Sequence, residues 1–205
     1  MAHIRGREPI PANGYLQLNL IMDYRNNIEV SGSQGLRNNN PGNFRVGINW
    51  DGAISENNGF IVFSDTIYGI RAMALNLYNN YYLYNKKTLF DFINKYAPSS
   101  ENNNPYEYSL SVARDVGIGI NDDMQLTFDR TAAILRGMMN IELGKYYSSV
   151  ISDEDIKEGI SLINKWQISL IKSEAVIKNN WVLILTGSAA ISLSLYLYFR
   201  MNKTT

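Results

Sequence analysis

The sequence predicts a mainly α (α+β) fold: a helical domain with one small β-hairpin, followed by a stalk helix and one C-terminal transmembrane helix. Three observations predict it. Apolar residues recur at helical spacing over most of residues 64–177, aromatic and apolar stretches between 44 and 63 flank turn chemistry, and residues 181–199 run for 19 positions without a charge.

The elements follow in order. Residues 1–34 show no clear period and are expected as an N-terminal arm. Their opening, MAHIRGREPIPANG, lacks the apolar core of a signal peptide. Residues 35–150 are the expected domain. It begins with Arg37-Asn38-Asn39-Asn40-Pro41-Gly42-Asn43, a loop signal, because Asn and Gly tolerate left-handed backbone and Asn bonds its own main chain. Residues 44–48 and 60–63 read as two short strands, with Asn49-Trp50-Asp51-Gly52 as the turn. Ser64 or Asp65 caps a helix carrying Ile67, Ile70, Ala74, Leu77 and Tyr81. A short helix over 88–96 stops before Pro98; the next starts at Pro105 and ends at Gly117. Thr127 caps a helix through Ala132, Leu135 and Met139 to Glu142, closed by Gly144. Ser152 starts a long helix through Ile156, Ile160, Ile163, Leu170 and Ile177, which is the expected stalk over 151–180.

The charge-free run 181–199 would rise ~28 Å as a helix, close to the ~30 Å hydrocarbon thickness of a bilayer. Trp181 marks one end and Tyr196, Tyr198 and Phe199 the other, as an aromatic belt would. A basic tail, 200–205, follows it. A buried core helix would have the same composition, but seldom this length without a charge. The full chain is therefore expected to need detergent, and a chain truncated after Lys178 to be soluble. A full-length chain that is monomeric in plain buffer by light scattering would remove the span.

Composition narrows the chemistry. Charge is balanced, 19 basic against 19 acidic residues, so nucleic acid is not an expected partner. Cysteine is absent and His3 is the single histidine, which leaves no thiolate or His-rich metal site and no His-based nucleophilic pair. No metal or cofactor is expected, and any catalysis is expected to rest on carboxylates. The candidates are Glu56, Glu101, Glu107 and Glu142. Glu56 lies in the polar stretch SENNG, Glu101 in an Asn-rich loop and Glu107 on a helix surface. Glu142 ends an apolar helix among Met138, Met139, Ile141 and Leu143, where apolar surroundings and the helix C-terminus both raise a carboxyl pKa. A solvated Glu at a helix end would look the same in sequence. The Asn loop beside Trp50 has two readings as well: a plain Asx-rich turn, or a sugar-binding groove with amides toward hydroxyl and N-acetyl groups and an indole face for the ring. The tyrosines at 78, 81, 82 and 84 fit helix packing better than a sugar platform.

The order of these pieces resembles a known family. Gly35-Leu36-Arg37-Asn38-Asn39-Asn40-Pro41-Gly42-Asn43-Phe44-Arg45, then Trp50-Asp51-Gly52, an apolar strand ending at Phe63, and Gly69-Ile70-Arg71-Ala72 follow one series. The series continues with Ala97-Pro98-Ser99-Ser100-Glu101-Asn102-Asn103-Asn104-Pro105-Tyr106 and Glu142-Leu143-Gly144. It is similar to the virion-associated peptidoglycan-degrading, lytic transglycosylase-like domains of the lysozyme superfamily found in phages with an internal membrane. The resemblance covers roughly residues 35–146.

The resemblance implies a lysozyme-like fold with Glu142 as the catalytic acid and Asn40, Asn43, Arg45, Trp50, Asn102 and Tyr106 toward the substrate; Tyr108 is a further candidate. In glucosaminidase and soluble transglycosylase domains the E-x-G helix precedes the loop and strands. Here it follows them, which suggests a circular permutation. The implied function is a peptidoglycan-cleaving enzyme, transglycosylase or muramidase, that opens the host wall during phage entry. Its implied location is the virion membrane, through the C-terminal anchor. Its partners would be glycan strands, that membrane and capsid proteins, with a homo-oligomer left open. The alternatives are a non-catalytic structural virion membrane protein with a lysozyme-like fold, and a cellular tail-anchored scaffold.

Overall fold

Helix α2 (Thr66–Tyr82) is the longest element among the described residues; a short α1 (Gln34–Arg37) precedes it. The computed structural model describes residues 23–163 and 167–176. Asp65 caps α2 by accepting the Ile67 amide at 2.9 Å, one of the two caps expected. Ile70, Met73, Ala74, Leu77 and Tyr81 fall on its inward side with Arg71 and Ala72 also buried, so the helix is covered almost all round. It is followed by α3 (Leu89–Tyr96), α4 (Pro105–Val116), α5 (Phe128–Glu142), the short α6 (Lys145–Ser148) and α7 (Asp153–Ser161). The fold is mainly helical with one two-stranded antiparallel sheet among the described residues. Helix α4 packs between α3 and α5, and α7 lies against α2 and α5. The shared core takes Leu36, Ile70, Leu77, Phe92, Val112, Leu135, Met138 and Ile156, of which Ile70, Leu77, Leu135 and Ile156 stand on the apolar stripes expected from the sequence.

Two elements differ from expectation. The first strand is β1 (Ala53–Asn57), not 44–48, and it pairs antiparallel with β2 (Phe60–Phe63). The turn is Asn58-Gly59, with φ of 53° and 80°, because a tight hairpin needs positive φ at both central residues and Asn-Gly supplies it. Residues 44–48 contribute only a bridge from Arg45 to Phe60. Glu56 thus lies on an exposed strand position rather than in a loop.

The helix from Ser152 is also shorter than expected. Ser152 and Asp155 form a capping box, but α7 ends at Ser161 with Leu162 as its cap. Ile156, Ile160 and Ile163 are buried in the shared core, so this stretch packs into the domain instead of leading straight out as a stalk. Residues 167–176 are helical again, and Ile168 and Ile171 pack on the same core. At the other end, residues 23–34 are also tied down: Val30 is core, and the Tyr24 hydroxyl donates to the Val150 carbonyl at 3.1 Å. Among the described residues no helix is long and apolar enough to cross a membrane. The expected span 181–199, residues 1–22 and the tail 200–205 lie outside the described residues.

Candidate active site

The Asn-rich loop is positioned by its own side chains. Asn39 and Asn40 are fully buried and Asn38 nearly so. The Asn39 amide donates to the Phe63 carbonyl (3.2 Å) and to Asp23 Oδ1 (2.9 Å), while its oxygen accepts from the Tyr24 amide (2.9 Å) and the Thr66 hydroxyl (3.0 Å). Asn40 Oδ1 accepts from the Phe44 amide, and its Nδ2 donates to the Phe44 and Ile61 carbonyls, each at 2.9 Å. Asn40 was expected to meet substrate. It is instead a strut between loop and hairpin, because its donors and its acceptor are spent on buried main chain. Gly69 of α2 allows the loop this close: a Cβ there would lie 2.3 Å from the Asn39 carbonyl oxygen. Arg71, almost buried, pairs with Asp51 at 2.7 Å and ties α2 to the turn before β1; Arg37 donates to the Ser31 carbonyl. Both arginines are thus structural.

Asn43 behaves differently from its neighbours. Its backbone is left-handed (φ 48°), and its Nδ2 donates to Glu142 Oε2 at 3.0 Å and to the Glu142 main-chain carbonyl at 3.2 Å. A main-chain carbonyl only accepts, so the amide nitrogen must face Glu142 and Oε2 must act as an acceptor. On the other oxygen, the Tyr108 hydroxyl donates to Oε1 at 2.8 Å. Burial raises the Glu142 pKa above the usual carboxyl value, while the bonds from Tyr108 and Asn43 pull it the other way. Burial, with the Glu142 charge adding to it, also pushes the phenols of Tyr96 and Tyr108 well above their usual range, so both remain protonated donors.

A chain of rings links this acid to Trp50. Trp50 lies 5.4 Å from Phe44, Phe44 meets Tyr96 edge-on at 6.0 Å, and Tyr96 meets Tyr108 edge-on at 6.3 Å between centroids. The Tyr96 hydroxyl donates to the Gly42 carbonyl, which fixes the residue just before Asn43. A groove of about 600 Å³ runs past these groups. Asn43, Arg45, Trp50 and Glu142 all line it, so the loop, the hairpin region and the acid share one groove. The Arg45 guanidinium rests 4.8 Å over the Phe60 ring at its edge. Glu101 also lines the groove and is exposed. Asn102 and Tyr106 are not among its lining residues. Asn102 sits at the left-handed end of the turn Ser99–Glu101, and Tyr106 is exposed, edge-on to Phe90 at 6.4 Å.

Tyr96 is the site residue that the sequence reading missed, and helical spacing would have found it. Leu89, Phe92, Ile93 and Tyr96 lie at i, i+3, i+4 and i+7 on the inward stripe of α3. The same rule separates Tyr108 from Tyr106, since Tyr108 shares a face with Val112 and Tyr106 does not. Tyr78 and Tyr81 belong to the core and none of the tyrosines at 78–84 lines the groove. Among the described residues no group of three or more His, Asp or Glu is placed to hold one metal ion.

The geometry defines a half-buried carboxyl held by one amide and one phenol on an open polar groove with an aromatic wall. That arrangement holds a proton to higher pH than an ordinary carboxyl does and can deliver it to a bound oxygen. Removing the Tyr108 hydroxyl removes a bond to the charged form, so Tyr108→Phe should move the Glu142 titration to higher pH. Carbon-13 NMR of labelled glutamate reads this directly, and an unmoved or downward titration would contradict the assignment. Neither the protein-family models nor the curated proteins contain a match to this chain.

Proposed function

We propose that this chain is a virion-associated peptidoglycan-cleaving enzyme with a permuted lysozyme-like domain, anchored in the virion membrane by residues 181–199. The single observation that carries the reading is the half-buried Glu142 carboxyl, bonded by Asn43 and Tyr108, on the groove that Trp50 and Arg45 line. Glu142 is the general acid. It protonates the glycosidic oxygen between N-acetylmuramic acid and N-acetylglucosamine as the C1–O bond breaks, leaving an oxocarbenium-like centre on the muramoyl sugar. That sugar's own 6-hydroxyl then attacks C1, and its proton passes to the Glu142 carboxylate, which restores the acid. This route needs one carboxyl, in keeping with Glu142 as the half-buried acid of the groove, while Glu101 is solvent-exposed. Trp50 offers an apolar face to a sugar ring, and Arg45 a cation at the rim.

The test is digestion of purified peptidoglycan by the full chain in mild detergent, with mass analysis of the products. Products with 1,6-anhydro ends are expected. Reducing ends would make it a hydrolase with Glu101 as the water-activating base, and undigested peptidoglycan would remove the enzymatic reading.

A further inference from the structure

Glu142 does not stand at the end of the groove. Past it the chain turns through Leu143 and the left-handed Gly144 (φ 80°) into α6, and Tyr147 of α6 lines the groove again. Beside it lie Gly32, just before α1, and Gln34, the first residue of α1, which line the same space. A Cβ on Gly32 would lie 2.2 Å from the Tyr147 hydroxyl oxygen, so glycine lets this segment close against that ring. Tyr147 is steadied by Tyr146, edge-on at 5.1 Å between centroids. The Gln34 amide nitrogen is buried and has no hydrogen-bond partner among the described residues. A buried donor without an acceptor is costly, and a ligand acceptor relieves the cost. This wall is built from different elements than the Trp50 wall, where Trp50 is backed by Phe44 and Phe44 in turn by Tyr96 of α3.

We propose that Tyr147 and Gln34 form a second sugar subsite in the same groove, separate from the Trp50 wall. The Tyr147 ring lies against the apolar face of one sugar, and Gln34 Nε2 donates to the carbonyl oxygen of its N-acetyl group. The proposal rests on the glycan reading and adds to it. The strand passes Glu142 with sugars held on both walls, so cleavage falls inside a strand and weakens for fragments too short to reach both.

The test uses the full chain in detergent with Glu142→Gln, which stops turnover, and glycan strands of two and six sugars prepared from peptidoglycan. Calorimetry should show the six-sugar strand binding at least about tenfold tighter than the two-sugar fragment. Tyr147→Ala should lose about tenfold in affinity for the long strand, the worth of one aromatic contact. Tyr147→Phe should retain it. Gln34→Leu, a milder change, should cost about fivefold, the worth of one hydrogen bond. Should Tyr147→Ala and Gln34→Leu both bind the long strand as tightly as their parent, while Trp50→Ala binds it less, the second subsite is wrong and the glycan reading stands. No binding of either strand by the parent removes both.

Discussion

Glu142→Gln lowers the rate of peptidoglycan cleavage by at least ~10²-fold, the usual worth of general acid catalysis. Glutamine keeps the shape, still accepts one of the two bonds from Tyr108 and Asn43, and carries no proton to give. The fold should survive, and its pH dependence should change in a defined direction. Burial raises the Glu142 pKa in the folded state above its unfolded value. Its contribution to stability is therefore fully present below the unfolded pKa and is lost as pH rises through the folded pKa. Above the folded pKa the wild type carries that loss and Glu142→Gln does not. The variant should thus gain in melting temperature relative to wild type as pH rises from below the unfolded pKa to above the folded pKa. Rates on purified peptidoglycan and thermal melts at both pH values read the two effects. Full activity in the variant would defeat the assignment of the acid, and loss only in Glu101→Gln would move the acid there.

Asn40→Ala destabilises the fold by about 3 kcal/mol or more. The substitution strips partners from the Phe44 amide and from the Phe44 and Ile61 carbonyls, and each buried polar group left unpaired costs about 1–3 kcal/mol. Against the roughly 5–15 kcal/mol that hold a domain together, this is a large share. Asn43→Ala is the control. It removes bonds only to Glu142 and places alanine at a left-handed φ, so it should cost less stability than Asn40→Ala, about 1 kcal/mol, and raise the Glu142 titration, since a bond to the charged form is lost. Urea unfolding of both variants separates a strut from a groove residue. Asn40→Ala with wild-type stability and lost glycan binding would return Asn40 to the substrate face.

Local chemistry made much of the fold legible. Caps at Asp65, Thr88, Thr127 and Ser152, Pro105 at a first helical position and left-handed Gly117 and Gly144 stand where residue type places them, because each acts within four residues of itself. The hairpin register differs from expectation because the alternation of Phe44, Val46 and Ile48 looks like a strand, while the Asn58-Gly59 turn sits inside the polar stretch SENNG. The α7 segment was misread for a related reason. An apolar stripe on a helix shows that something covers it, and Ile156 and Ile160 could have faced a partner as readily as the core beneath α2.

By itself the sequence determined the helical class, the charge-free C-terminal run, the absence of thiol chemistry, and Glu142 as the carboxyl in apolar company. Only the tertiary structure decided which of four near-identical asparagines meets it. Asn38, Asn39, Asn40 and Asn43 have the same side chain, and the groups that engage the first three, the side chains of Asn57 and Thr66 and the main chain of Ile61, Phe63 and Tyr24, come from the hairpin, α2 and the N-terminal segment. The partner left for Asn43 lies 99 residues away at the end of α5, a distance no local pattern spans.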